Sequence, residues 1–187
     1  MAGVDFKKMP VFQVIKKSGA GFTMIELLVY LGLFGLLFGG AVAAAYNVVE
    51  TTGRNQTKVM VQEEGNFLLA KLSWVLSGAQ SISSPAAGAS CAAPGCALSV
   101  AKWDTSIGNP LVIDLAAPDM TLSKGGNPAQ TLNNSNVGVS NLTFTHNNGS
   151  GDGITPESLQ YSFTVSTKTP TGLAYSQNFS GTVYLRK

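Results

Sequence analysis

The chain opens with a basic stretch, continues with a long apolar run, and ends with a tail in which apolar and polar residues alternate. No side chain between Leu27 and Ala45 is charged. Together with residues 22–25, the apolar run reaches about 20 residues or more, which is long enough for a helix to cross the hydrocarbon core of a bilayer. The pattern therefore predicts a transmembrane helix over residues 22–46.

After the apolar run, apolar residues continue at a helical spacing instead of stopping. Two rows of residues seven apart, together with two further apolar residues, are predicted to share one face: Met60, Phe67 and Trp74; Val61, Leu68 and Val75; Leu72 and Ala79. They predict that the helix continues over residues 47–80 with one buried face. Such a stripe also occurs in coiled coils, but here the repeat is short and mixed, which favours packing against the protein's own sheet.

The remaining residues, 81–187, are predicted to form a β-rich head. Apolar and polar residues alternate at 159–165 and 175–185, which predicts a final hairpin across the Thr-Pro-Thr-Gly turn. In one of the earlier candidate strands the apolar parity switches around Asn141, which predicts a bulge or a bend. The earlier candidates are 98–102, 111–115, 120–122 and 137–145. The predicted fold class is α+β, with the long helix packed on one antiparallel sheet.

The segment 83–95 is rich in Pro, Ala, Ser and Gly and is predicted to be a surface loop. The only two cysteines, Cys91 and Cys96, enclose the turn-forming sequence Ala-Ala-Pro-Gly. In a domain outside the cytoplasm this spacing predicts a small loop closed by a disulfide.

The charged and polar residues suggest neither an enzyme nor a protein that binds nucleic acid. The formal net charge is +2, but from residue 22 onward acidic residues outnumber basic ones by one, so no nucleic-acid partner is expected. No catalytic constellation or phosphate loop is present, and neither a cofactor nor a metal is predicted. The single histidine, His146, is interpreted as a surface polar residue. The Asn- and Gly-rich segment 147–153 lacks the carboxylates that calcium requires, which favours a flexible connection between strands.

The most specific feature lies just before the apolar run, where the small-residue junction Gly21–Phe22 is followed by Glu26. A carboxylate in a membrane helix costs about 2.5–3.5 kcal/mol on insertion scales, so Glu26 is expected to have a partner. Cleavage after Gly21 would create a free amine on Phe22, and that amine is a candidate partner.

Gly21, Phe22, Thr23 and Glu26 resemble the prepilin motif of the type IV pilin and pseudopilin family, with the lysines at 16–17 as its basic flank. The resemblance implies that residues 1–21 are a leader that a prepilin peptidase removes. It also implies that Phe22 becomes N-methylated, and that Glu26 pairs with the amine of a neighbouring subunit. The alternative is an ordinary signal peptide or signal anchor. A secretory signal peptide, however, is cut after its apolar run, and this junction precedes the run.

Residues 62–82 resemble the corresponding helix of W-type minor pilins and of the J-type minor pseudopilin. The resemblance implies a structural subunit that is held in the inner membrane with a cytoplasmic N-terminus and then assembles into an extracytoplasmic filament. Its expected partners are the prepilin peptidase and other pilin or pseudopilin subunits. The alternatives are a major pilin of an adhesion or motility fibre and a filament-tip module that binds DNA or a surface ligand.

Overall fold

The structure, a computed structural model, describes residues 21–150, 155–168 and 174–185. The leader 1–20 and the turn predicted at 169–172 lie outside the described residues, so the expectations about them stay predictions. The chain forms two compact units, Met1–Tyr46 and Asn47–Lys187. The helix α1, Met24–Leu76, contributes residues to both.

The described part of the second unit contains two antiparallel sheets. The strands are β1 (Ala79–Ser84), β2 (Ser90–Ala92), β3 (Leu98–Lys102), β4 (Leu111–Ala116), β5 (Asp119–Lys124), β6 (Gln130–Thr131), β7 (Val137–Asn147), β8 (Ser158–Lys168) and β9 (Ala174–Tyr184). One sheet has the order β1-β3-β4-β5-β6, and the other has the order β2-β7-β8-β9. The α+β class with a long helix on antiparallel strands is confirmed. The prediction of a single sheet is wrong, because the short early strands pair mainly with each other and the three long strands pair with each other.

The loop predicted at 83–95 is wrong in part, because it contains the end of β1 and all of β2. These strands consist mostly of small and polar residues, so they carry no clear alternation for a sequence pattern to detect. They are held by backbone pairing instead. Ile82 pairs with Val100 at the edge of the first sheet, and Cys91 pairs with Phe144 at the edge of the second.

The bulge predicted in β7 is confirmed at Asn141. Its φ is 53°, and the register between β7 and β8 shifts between Ser140 and Thr143. Asn141 has one of the side chains that tolerate the left-handed region best among non-glycine residues. The bulge changes the parity of the strand, so that the side chains of Leu142 and Phe144 become fully buried.

The interpretation of His146 as a surface residue is wrong. Its side chain is 2% exposed, because the parity set by the bulge turns it inward after Phe144. The ring Nδ1 lies 2.9 Å from the Pro85 carbonyl oxygen, and Nε2 lies 2.7 Å from a carboxylate oxygen of Glu157. His146 thus links the end of β7 to the loop before β2 and to the segment before β8. A buried ring with a polar partner at each nitrogen is structurally well satisfied.

The buried face of α1 in the second unit includes the predicted row Val61, Leu68 and Val75 together with Leu72, all of which are fully buried. The other predicted row is not buried. Met60, Phe67 and Trp74 are 39, 44 and 38% exposed. Each of them precedes a buried residue by one position, which rotates its side chain by about 100° around the helix. The buried face predicted from the sequence is therefore too wide, because only the row of Val61, Leu68 and Val75 is covered.

Two small residues let the helix and the second sheet approach closely. A Cβ atom at Gly65 of α1 would lie 2.0 Å from the ring of Phe179 in β9, so this ring occupies the space that any side chain would need. The Phe179 ring is stacked on Phe163 of β8 at a centroid distance of 5.6 Å. At Gly181 a Cβ atom would lie 2.5 Å from the hydroxyl of Tyr161, which lies 3.1 Å from the Ser73 hydroxyl on the helix.

The C-terminus of α1 is stabilised by a buried lysine. The Lys102 Nζ donates a hydrogen bond of 2.6 Å to the Trp74 carbonyl, one of the last carbonyl groups of the helix. The same ammonium group lies 4.2 Å from the centroid of the Trp74 ring. A cation is favourable at a helix C-terminus. Burial lowers the pKa of Lys102, and the nearby Asp104 partly opposes this effect.

Cys91 and Cys96 form a disulfide, with their Cα atoms 5.7 Å apart. The bridge closes the loop that follows β2 on the second sheet. By the loop-entropy estimate, a bridge across so few residues constrains the unfolded chain by about 2 kcal/mol.

We expect Cys91→Ser to lower the melting temperature without abolishing the fold, because Cys96 belongs to the core of the second unit but most of that core comes from α1 and the other strands. Thermal unfolding followed by circular dichroism measures the change. We also expect the bridge to form only after export, since the cytoplasm keeps thiols reduced. Two thiols that react with a maleimide in the exported native protein under non-reducing conditions would contradict the bridge.

Candidate processing and assembly site

The helix begins directly after the predicted cleavage junction. Gly21 and Phe22 precede it, and α1 starts at Met24. The side-chain oxygen of Thr23 accepts a hydrogen bond of 3.3 Å from the backbone N–H of Glu26, as an N-cap residue does. The Thr23 carbonyl accepts from the N–H of Leu27 at 3.2 Å. Cleavage after Gly21 would therefore leave a chain whose second residue caps its own helix.

Glu26 occupies the third position of the helix, where a negative charge is favoured by the helix dipole. Its carboxylate accepts a hydrogen bond of 3.3 Å from the hydroxyl of Tyr30, one turn later. The Tyr30 ring also contacts Phe22 edge to face, with 6.1 Å between the ring centroids. No ion pair to Glu26 is formed within the described residues. Within the described part of the chain, the carboxylate is thus oriented by a neutral donor and pairs with no cation.

The helical part of the first unit has no buried side chain. α1 is long and apolar enough to cross a membrane, and no residue of its most apolar stretch is buried. Phe22, Leu27, Tyr30, Leu31 and Phe34 line a shallow apolar groove near its start. An apolar helix with no covering side chains fits inner-membrane anchoring.

Sequence reasoning placed Gly21, Phe22 and Glu26 in one short segment. In the structure Gly21 and Phe22 lie directly before α1, and Glu26 lies in its first turn. The disulfide of Cys91 and Cys96 belongs to the other unit. Two roles were not predicted: the capping of the helix by Thr23 and the hydrogen bond from Tyr30 to Glu26. The spacing of Thr23 and Glu26 is that of a capping box, which signals an N-cap. Tyr30 lies four residues after Glu26, the spacing at which side chains meet on a helix.

Residues 16–42 match the family model for the prokaryotic N-terminal methylation motif. The match includes Gly21, Phe22 and Glu26 and ends within the apolar run. No curated protein and no solved structure matches the chain significantly. The motif supports the type IV pilin and pseudopilin family, whose members are structural subunits. More particularly, it supports a pilin or pseudopilin that is processed by prepilin peptidase and assembles with other pilin subunits.

Proposed function

We propose that this protein is a minor pilin or pseudopilin, a subunit of a type IV pilus-like or type II secretion filament. The observation that carries the proposal is the position of the methylation motif at the very start of an apolar helix with no covering side chains. The resemblance of residues 62–82 to W-type minor pilins and the J-type pseudopilin favours a minor subunit. In this function the protein has a mechanical role, and it is not an enzyme.

The proposed processing divides the chain at the Gly21–Phe22 bond. Residues 1–21 are the leader and 22–46 the membrane and filament-core helix. The amphipathic continuation was predicted to reach residue 80, but α1 ends at Leu76 and Ala79 begins β1, so the head begins at β1. The lysines at 16–17 precede the apolar run, which by the positive-inside rule leaves the junction in the cytoplasm. The prepilin peptidase then reaches the bond from that side, and the head lies outside.

The proposed assembly step uses the carboxylate of Glu26. Cleavage creates an amine at Phe22, which stays cationic after a single methylation. In the filament this amine and the Glu26 carboxylate of a neighbouring subunit form an ion pair that lowers the cost of placing either charge among apolar helices. The structure supports this role because the carboxylate is exposed and, within the described residues, its side-chain hydrogen bond comes from a neutral donor, Tyr30.

We expect the mature chain to begin with N-methyl-Phe22. Mass spectrometry of membrane or filament fractions measures the N-terminus and its added methyl group. Gly21→Ala should be cut less well, and a bulky residue at this position hardly at all, because the junction requires a small residue. A mature chain that begins well beyond Ala45 would instead show an ordinary signal peptide and refute the proposal.

The proposed role as a minor subunit is tested by the abundance of the chain in filaments. Quantitative proteomics of sheared filaments should find far fewer copies of this chain than of the most abundant pilin. A chain that makes up most of the filament mass would be the major pilin, and its processing at Gly21 would be unaffected by that outcome.

A further inference from the structure

The exposed row of α1 contains an aromatic ring that is surrounded by cations. This ring belongs to Trp74, which is 38% exposed. Three ammonium groups lie over it, at 4.2, 5.5 and 6.0 Å from the ring centroid, and they belong to Lys102, Lys124 and Lys71. Lys102 ends β3, Lys124 ends β5, and Lys71 belongs to α1 itself. These three lysines together with Trp74 and Phe67, which is also exposed, are named the lysine–tryptophan patch.

The patch has a net positive charge. The structure describes five lysine and arginine side chains in the second unit, and three of them are in this patch. None of the three forms an ion pair within the described residues, where Lys102 alone among them donates a side-chain hydrogen bond. The carboxylate that acts on Lys102 is that of Asp104, which accepts two hydrogen bonds from Ser106. One carboxylate does not balance three ammonium groups.

A positive surface beside exposed aromatic rings suits an anion that also has an apolar part, because opposite charges are matched across interfaces. Phe67 lies one turn before Lys71, whose ammonium group is 5.4 Å from its ring centroid. An acidic protein segment has both features. Its carboxylates accept hydrogen bonds from ammonium groups, and its apolar side chains can pack on the Phe67 ring.

A nucleic acid fits the patch less well. Bases bind aromatic side chains by stacking on the ring face, but ammonium groups already lie over the Trp74 ring. A nucleic-acid strand also needs cations spaced along its backbone. The other two described cations of the unit are engaged elsewhere, since Arg54 pairs with Glu50 and Lys58 lies over the ring of Tyr175.

We propose that the lysine–tryptophan patch binds an acidic segment of a neighbouring subunit in the filament. The carboxylates of that segment lie between the ammonium groups, and its apolar side chains contact Phe67. The methylation motif implies assembly with other pilin subunits, which are thus the proteins held beside this patch. The proposal rests on the proposed function, and it adds the chemistry that the neighbour must present. A titration of the isolated chain tests the patch without any filament.

The titration follows the fluorescence of Trp74 in the full-length chain in detergent micelles. The chain has two tryptophans, so Trp103→Phe leaves Trp74 as the single reporter. Hexaglutamate with blocked ends is the probe, and hexaglutamine is its uncharged control. We expect hexaglutamate to change the Trp74 emission in a saturable way and hexaglutamine to leave it unchanged. Added salt should weaken the binding, because it screens exposed charges.

Charge variants show whether the patch is the binding site. Lys71→Gln combined with Lys124→Gln should weaken hexaglutamate binding several-fold, while Lys102 is kept because it caps the helix. Lys71→Arg combined with Lys124→Arg keeps both charges and should bind like the parent chain. Lys58→Gln is the matched control, since it removes an exposed cation of the same helix outside the patch, and it should have no effect. Near-ultraviolet circular dichroism verifies the fold of each variant.

Photo-cross-linking in filaments identifies the neighbour. The photoreactive residue p-benzoylphenylalanine replaces Phe67 in the full-length chain, and mass spectrometry locates the cross-linked segment. We expect this segment to belong to another pilin subunit and to contain Asp or Glu. The cross-link yield should fall several-fold when Lys71→Gln and Lys124→Gln are added, and Lys58→Gln should leave it unchanged.

Four results would overturn the proposal. They are no binding of hexaglutamate, tighter binding of hexathymidylate than of hexaglutamate, an equal loss of binding in Lys58→Gln and in the double glutamine variant, and a cross-linked segment without carboxylates. A tighter hexathymidylate complex would identify a nucleic-acid site instead. A mature chain that does not begin at Phe22 is a different outcome, because it refutes the proposed function and leaves the titration result unaffected.

Discussion

Glu26→Ala is expected to abolish entry into filaments while membrane insertion and cleavage at Gly21 continue. Insertion itself should become easier, because the substitution removes a carboxylate that costs about 2.5–3.5 kcal/mol in a membrane helix. Assembly should fail because the amine of Phe22 loses its partner, and leaving one member of a buried ion pair alone costs about 3–5 kcal/mol. The measurement compares processed protein in membranes with protein in sheared filaments.

Tyr30→Phe is the matched control for this substitution. It removes the hydroxyl that donates to the Glu26 carboxylate but keeps both the charge and the aromatic ring. We expect Tyr30→Phe to assemble nearly normally, because the amine and not the tyrosine is the proposed partner. Glu26→Gln keeps the shape without the charge and should behave like the alanine variant. Normal filament levels of Glu26→Ala would restrict Glu26 to recognition by the peptidase.

Gly65→Ala is expected to destabilise the second unit by about 1–3 kcal/mol through overpacking. In an isolated helix the same change is favourable by roughly 1 kcal/mol. The sign reverses here because the new Cβ atom would lie 2.0 Å from the Phe179 ring, which is held against Phe163 and cannot leave without opening the contact between helix and sheet. Chemical denaturation followed by near-ultraviolet circular dichroism gives the free energy of unfolding.

Two variants identify the cause. Asn66→Ala lies on an exposed position beside Gly65 and should be neutral or slightly stabilising, since it changes only helix propensity. Phe179→Leu destabilises by itself, but in combination with Gly65→Ala it should cost less than the sum of the two single changes, because the smaller side chain makes room for the methyl group. Strict additivity would show that the Phe179 ring is not what excludes a side chain at Gly65.

The parts of this protein that sequence reasoning reached are those that depend on local order along the chain. The junction at Gly21–Phe22 and the charge at Glu26 are separated by a few residues, and the family motif over 16–42 is likewise one continuous segment. The apolar run and the alternation in strands β7 to β9 could be predicted because each pattern lies within a single helix or strand. Even the bulge at Asn141 left a local trace, because it changes the parity of apolar residues within one strand.

The tertiary structure decided which of several equivalent local patterns became buried. The sequence alone did not distinguish the row of Met60, Phe67 and Trp74 from the row one position later, and only the placement of the sheet buried the second. Nothing in the sequence around Gly65 indicates that a glycine is needed there. The reason is the ring of Phe179, more than a hundred residues away, which occupies the space that a side chain at position 65 would need. The bulge turns His146 into the core, where its ring nitrogens find partners in Pro85 and Glu157 from two other segments. Contacts between remote residues leave no periodic signal, since each side of such a contact is compatible with many partners until the chain has folded.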